Sequence, residues 1–249
     1  MRTEAYHSFE SKLFYFNDDI DLIEVIRLSI LNGDLTDKAS KFPIKNIDPT
    51  KHLHIVRRRN SNGSRELLVN HLRQTVYSSY VKDIYEEVTQ YLKTILEKAA
   101  ENGFDGGRLI GEHSTKLDAK LILAAGTWGN IARIITDSVF QSLEAEKSTL
   151  KLIEKISTKL ALGVDGNLIK NALPYLEVRH FLVHVDGKIP TEFKKDNPQI
   201  QIKDGHVKLD YKFVSEFRDA IKKLIKEFDE KVIATNLLKP RSFQSQEAA

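Results

Sequence analysis

Between residues 68 and 99, apolar side chains return every three or four positions: Leu68, Leu72, Val76, Tyr80, Ile84, Val88, Tyr91, Ile95 and Ala99. That spacing gathers side chains on one face only if the backbone is α-helical, and about nine turns of it make a long amphipathic helix. Asn102-Gly103 follows as a left-handed stop. A second stripe, Leu117, Leu121, Ala124, Trp128, Ile131, Ile135 and Val139, predicts another long helix opening at Thr115, with Asp118 three residues on as in a capping box. Gly126 and Gly129 lie one turn apart inside that stripe, which predicts close approach of another backbone.

Further helices follow the same logic. One is predicted from about Ser148 to Leu162, stopped at Gly163, and another from about Asp165, kinked or restarted at Pro174. The last spans about Lys212 to Asn236, with Val214, Phe217, Ile221, Leu224, Phe228 and Val232 inward. Between them, residues 199–210 alternate polar and apolar around Asp204-Gly205, a β-hairpin signal. The N-terminal part is mixed. Asn17-Asp18-Asp19 is read as the start of a short helix carrying Ile20, Ile23, Ile26 and Ile30, ended by Asn32-Gly33, and 52–56 as a short strand. The expected architecture is an all-α bundle with two long helices and a small β-hairpin insert. The expected organisation is an extension over 1–60, a helical domain over 61–239 and a disordered tail over 240–249.

Composition removes several function classes. There are 0 cysteines, which excludes disulfides, thiolate zinc sites and cysteine nucleophiles. The formal net charge of +3 permits a nucleic-acid partner without requiring one. The first residues lack the apolar core of a signal peptide, and no apolar run nears the roughly 18 residues of a membrane span. The expectation is a soluble cytoplasmic protein with no membrane partner. Phosphate-loop, dinucleotide-binding and serine-hydrolase motifs are missing.

The chemistry-bearing stretch is LPYLEVRHFLVHVDGKI over residues 173–189, which sets Arg179, His180 and His184 on an apolar helical segment ending at Asp186-Gly187. Arginine can hold a phosphate and histidine can move a proton near neutral pH, which together suffice to cut RNA without a metal. An arginine followed by histidine at this spacing occurs four times: Arg2/His7, Arg65/His71, Arg108/His113 and Arg179/His184. Only the last lies in an apolar helix that closes in a tight turn. His180 and His184 are four apart and share one side of the helix, whereas Arg179 and His184 diverge by about 140°. They converge if the helix loosens near His184, or across a two-fold axis with a second copy.

This stretch resembles the HEPN domains, all-helical proteins marked by an arginine, a polar residue, three to five further positions and a histidine. Arg179 and His184 match the two fixed positions and His180 fills the polar slot. The wider phrase is similar to larger HEPN proteins of prokaryotic conflict systems, and the likeness extends over about residues 65–236. The resemblance implies a metal-independent endoribonuclease acting as a homodimer with a composite active site, a toxin–antitoxin or anti-phage effector with a possible antitoxin or defence partner protein. In it, Arg179 would hold the phosphate, His184 would act as general base or acid, and His180 would position RNA or carry the second proton. One branch of the family carries a tyrosine two residues after the histidine, modified by a partner nucleotidyltransferase. Here Asp186 stands at that position.

Plainer readings stand beside these. In one, Arg179 and the histidines cap carbonyls or pair with Glu177 or Asp186. A non-catalytic module binding RNA, nucleotide or a partner protein, and a small-molecule enzyme using the two histidines, fit the same residues. The His180/His184 spacing also suits zinc, but no third ligand accompanies it, so neither metal nor cofactor is expected. Arg57-Arg58-Arg59 reads as a solvated loop, and Tyr77, Tyr80, Tyr85 and Tyr91 as core or dimer packing. Asn130, Arg133 and Lys188 are candidate supporting or RNA-binding residues.

Overall fold

The computed structural model describes residues 1–36, 39–104, 118–144, 149–185 and 187–241. Among these the chain forms α1 (Glu4–Asn32), α2 (Leu53–Val56), α3 (Asn62–Glu101), α4 (Ala119–Ala124), α5 (Trp128–Glu144), α6 (Thr149–Lys159), α7 (Gly166–His184), α8 (Thr191–Asp196), β1 (Ile202–Lys203), β2 (His206–Val207) and α9 (Tyr211–Ala234). The fold is an all-α bundle with one small hairpin. It divides into a unit of Met1–Lys12 with Asp83–Ala249 and a unit of Leu13–Lys82. Both boundaries fall inside helices, so the expected extension over 1–60 is not a unit by itself.

In the smaller unit, Ile20, Ile23 and Ile30 of α1 and Val69, Tyr77, Tyr80 and Val81 of α3 are buried. The two phenols are satisfied locally: Tyr77 donates to Glu24 Oε1 at 2.5 Å and Tyr80 to Asn17 Oδ1 at 2.9 Å. Asn17 lies in mid-helix, not at a helix start. Residues 53–56 form a helical turn, not a strand.

α1 begins instead in the larger unit, where Thr3 caps it by accepting from the Tyr6 N–H at 3.1 Å. The same hydroxyl donates to Asp229 of α9, and the Thr3 N–H donates to Asp229 Oδ2 at 3.1 Å. Asp229 is 0% exposed and also accepts from the Tyr91 hydroxyl at 3.3 Å. Burial raises its carboxyl above the ordinary value, opposed by those hydrogen bonds and by Arg2. The first residues of the chain are thereby tied to the core through one buried carboxyl.

α9 has the face read from its sequence: Val214, Phe217, Ile221, Leu224, Phe228 and Val232 are all buried, each contributing about 1.5–3 kcal/mol. Asp210 caps it by accepting from the Phe213 N–H at 2.9 Å. α7 packs on α9 and α6, and α6 packs on α5.

The second predicted long helix is interrupted. α4 ends at Ala124, Gly126 takes φ +71°, and α5 starts at Trp128. Asp118 caps α4 by accepting from the Lys120 N–H, while Thr115 and Leu117 lie outside the described residues. A Cβ added at Gly126 or Gly129 would meet nothing within 4 Å, so neither glycine marks close backbone packing; Gly126 is there for its backbone angle. The stripe accordingly fails at its start: Leu121 is 55% and Trp128 61% exposed, and α5 buries Ala132, Thr136, Val139 and Phe140.

Candidate active site

α7 carries the motif and is anchored at both ends. Asp165 caps its start, accepting from the Asn167 N–H at 2.8 Å. The helix runs through Pro174 unbroken to His184, where the N–H groups of Val185 and Gly187 converge on the Phe181 carbonyl at 3.1 and 2.8 Å. Gly187 takes φ +77° and is buried, which reserves the position for glycine. Asp186 lies outside the described residues.

The hairpin secures the exit. Asp204 and Gly205 have φ +52° and +80°, the two positive angles of a type I′ turn, and the register pairs Lys203 with His206. The segment after α7 adds a third edge: Val207 N–H donates to Gly187 O at 3.1 Å, Ile189 N–H to Gly205 O at 2.9 Å, and Lys188 stands opposite His206. Thus the end of the motif helix is held by backbone bonds from an element about twenty residues downstream.

Arg179 and the histidines divide into two environments. The Arg179 guanidinium lies over the Tyr85 ring of α3, 4.8 Å from its centroid, a cation–π contact. Its Nε is buried with no hydrogen-bond partner, and among the described residues Arg179 pairs with no acid; Glu177 is not its counter-ion. His180 and His184 are exposed rather than buried, with ring centroids 4.6 Å apart and planes inclined at 47°. Phe181 meets the His180 ring edge to face at 5.7 Å between centroids and packs on Phe193 of α8 at 4.8 Å, also edge to face.

The helix stays regular to His184, so within one chain the Arg179 and His184 side chains leave α7 about 140° apart. The loosening that would bring them together is not present. Glu177 precedes His180 by three residues and His184 by seven, the spacing of one helical face. It is half-buried, and burial raises its carboxyl above the ordinary value. Glu177 and Tyr85 are the site's additions to the residues read from sequence. The helical register signals Glu177; nothing local signals that Tyr85 would meet Arg179.

The remaining candidates lie apart from this cluster in role. Asn130 bridges the α4–α5 break, donating from Nδ2 to the Ala125 carbonyl at 2.8 Å, with its N–H given to Thr127 Oγ1; it is structural. Arg133 is exposed on α5, and Lys188 is exposed on the strand after α7. Among the described residues no group of three or more His, Asp or Glu is placed to hold a metal ion, and no helix is long and apolar enough to cross a membrane. A groove of about 600 Å³ lined by Phe9, Lys12, Gln90, Tyr91, Lys98 and Lys239 includes none of the motif side chains. No family model matches the chain, and neither a curated protein nor a solved structure matches it.

Proposed function

We propose that the chain is a HEPN-type, metal-independent endoribonuclease, acting as a toxin or anti-phage effector. The observation that carries the reading is the Arg179 guanidinium, laid on Tyr85 with a buried, unpartnered Nε, on the same helix that presents the adjacent His180 and His184 imidazoles. In the reaction the ribose 2′-hydroxyl attacks the neighbouring phosphorus while His184 takes its proton. The P–O5′ bond breaks, and His180 protonates the leaving oxygen. Arg179 neutralises the charge on the equatorial oxygens of the phosphorane. The products are a 2′,3′-cyclic phosphate and a 5′-hydroxyl. Because Arg179 and His184 diverge on one helix, the working site takes the arginine of one copy and the histidine of the other, in a homodimer.

A second reading has its own support. Among the described residues neither imidazole has a hydrogen-bond partner to orient it, whereas an acting base is ordinarily held by a third group. An RNA-binding module without catalysis fits that freedom. Incubating the purified protein with single-stranded RNA in EDTA separates the two. Cleavage to cyclic-phosphate ends, lost in Arg179→Ala and His184→Ala variants that remain folded, supports the nuclease. Binding without cleavage, unchanged in His184→Ala, supports the module, and cleavage only with added divalent metal refutes the mechanism.

A further inference from the structure

The exit from the motif helix gathers basic side chains on one face of a small sheet. Lys188 stands opposite His206, and His206 stands opposite Lys203. Directly opposed residues of antiparallel strands project from the same face, so three cationic or cationisable side chains form one row across three strands. Strands lie about 4.8 Å apart, which makes the row about 10 Å long. The Lys188–His206 pair is flanked by the Val207-to-Gly187 and Ile189-to-Gly205 bonds. That makes it a non-hydrogen-bonded pair, the kind in which side chains come closest.

The opposite face of this small sheet is apolar, with Val207 buried and Ile189 and Ile202 half-buried, so the row cannot turn inward. Lys188, Lys203 and His206 are all exposed. Among the described residues neither lysine takes part in an ion pair, although Lys208 on the following segment is neutralised by Asp210 at 2.8 Å. Asp204 sits in the turn itself and spends its carbonyl on the His206 ring at 2.9 Å. Lys188 and Lys203, on the strands either side of His206, give this face beside the end of α7 a basic surface suited to a line of negative charge.

We propose that the Lys188–His206–Lys203 row is a docking strip for the phosphate backbone of single-stranded RNA, leading to the motif helix. This rests on the ribonuclease reading for its ligand. A row one residue wide and about 10 Å long matches one phosphate backbone rather than the two of a duplex. Phosphate contacts position the strand without reading its sequence.

The test uses the full chain and a fluorescent single strand of about 12 nucleotides carrying 2′-O-methyl riboses, which removes the nucleophile and leaves binding alone. Anisotropy is followed from about 50 to 300 mM KCl. For single strands, log affinity falls with log salt by about 0.7 per phosphate contacted. Lys188→Gln with Lys203→Gln is expected to reduce that slope by about 1.4 and to weaken binding roughly 25-fold near 0.1 M salt. Lys170→Gln with Lys223→Gln, two exposed lysines outside the sheet, is the charge-matched control and leaves the slope within about 0.3 of wild type.

A slope equal to wild type in the double variant overturns the proposal, as does an equal change in the control. Competition by poly-glutamate as effective as by RNA assigns the row to acidic protein and likewise overturns it. Cleavage that depends on Arg179 and His184 with an unaltered slope removes the strip alone. A reduced slope in a protein that cleaves nothing removes the nuclease alone. Absence of RNA binding by wild type removes both.

Discussion

Thr3→Val is the substitution that most sharply tests how the larger unit is assembled. Valine keeps the shape of threonine and deletes one oxygen that makes two hydrogen bonds, accepting from the Tyr6 N–H at 3.1 Å and donating to Asp229. Losing the helix cap costs about 1 kcal/mol. Leaving a buried Asp229 oxygen without that donor costs about 1–3 kcal/mol. Together these give about 2–4 kcal/mol, or a fall in Tm of about 5–15 °C for a chain of this size. Urea unfolding followed by circular dichroism measures the first figure and a thermal melt the second. Thr3→Ser, which retains the hydroxyl, should stay within about 1 kcal/mol of wild type. A Thr3→Val loss below about 0.5 kcal/mol would refute the claim that the Thr3–Asp229 contact fastens the start of α1 to the core.

Three further outcomes are expected. Burial holds the Asp229 carboxyl high, so the folded chain takes up that proton at a higher pH than the unfolded chain. The stability this carries is complete below the unfolded value near 4 and is lost as pH rises through the folded one. In urea titrations between about pH 4 and 7, the stability of wild type minus that of Asp229→Asn should therefore shrink as pH rises; a constant difference contradicts the shift. Gly205→Ala places a side chain at φ +80° and should cost about 1–2 kcal/mol by the same titration, with no loss if the turn is not type I′. In the cleavage assay, Tyr85→Leu should lower kcat/KM about twofold to thirtyfold through loss of the Arg179 contact, while Tyr85→Phe, which keeps the ring, stays within about twofold. Equal activities in Leu and Phe variants would detach Tyr85 from the site.

What could be read from the sequence was whatever is decided locally. The face of α9, the start of α7 near Asp165 and the Asp204-Gly205 hairpin all depend on residues within a few positions of each other, and all were legible. The start of α1 was not, because Asn17-Asp18-Asp19 imitates a cap while the true cap, Thr3, is completed by Asp229 far along the chain. α1 also hides its direction: Leu22, Val25 and Leu28 are exposed, so apolar residues lie on both its faces. The α4–α5 break was masked by an unbroken apolar stripe that Gly126 interrupts through its backbone angle. At the candidate site the helical register correctly paired His180 with His184, yet their exposure and the seat of Arg179 on Tyr85 depend on how α7 meets α3.

The central proposal is that Arg179 of one copy and His184 of another act on the same phosphate. Mixing the inactive Arg179→Ala and His184→Ala proteins under subunit exchange, in EDTA, tests this most directly. With two composite sites per dimer and random pairing, half the dimers carry one intact site, so cleavage should return to roughly a quarter of the wild-type rate. An active wild type whose two variants stay silent when mixed would contradict the account.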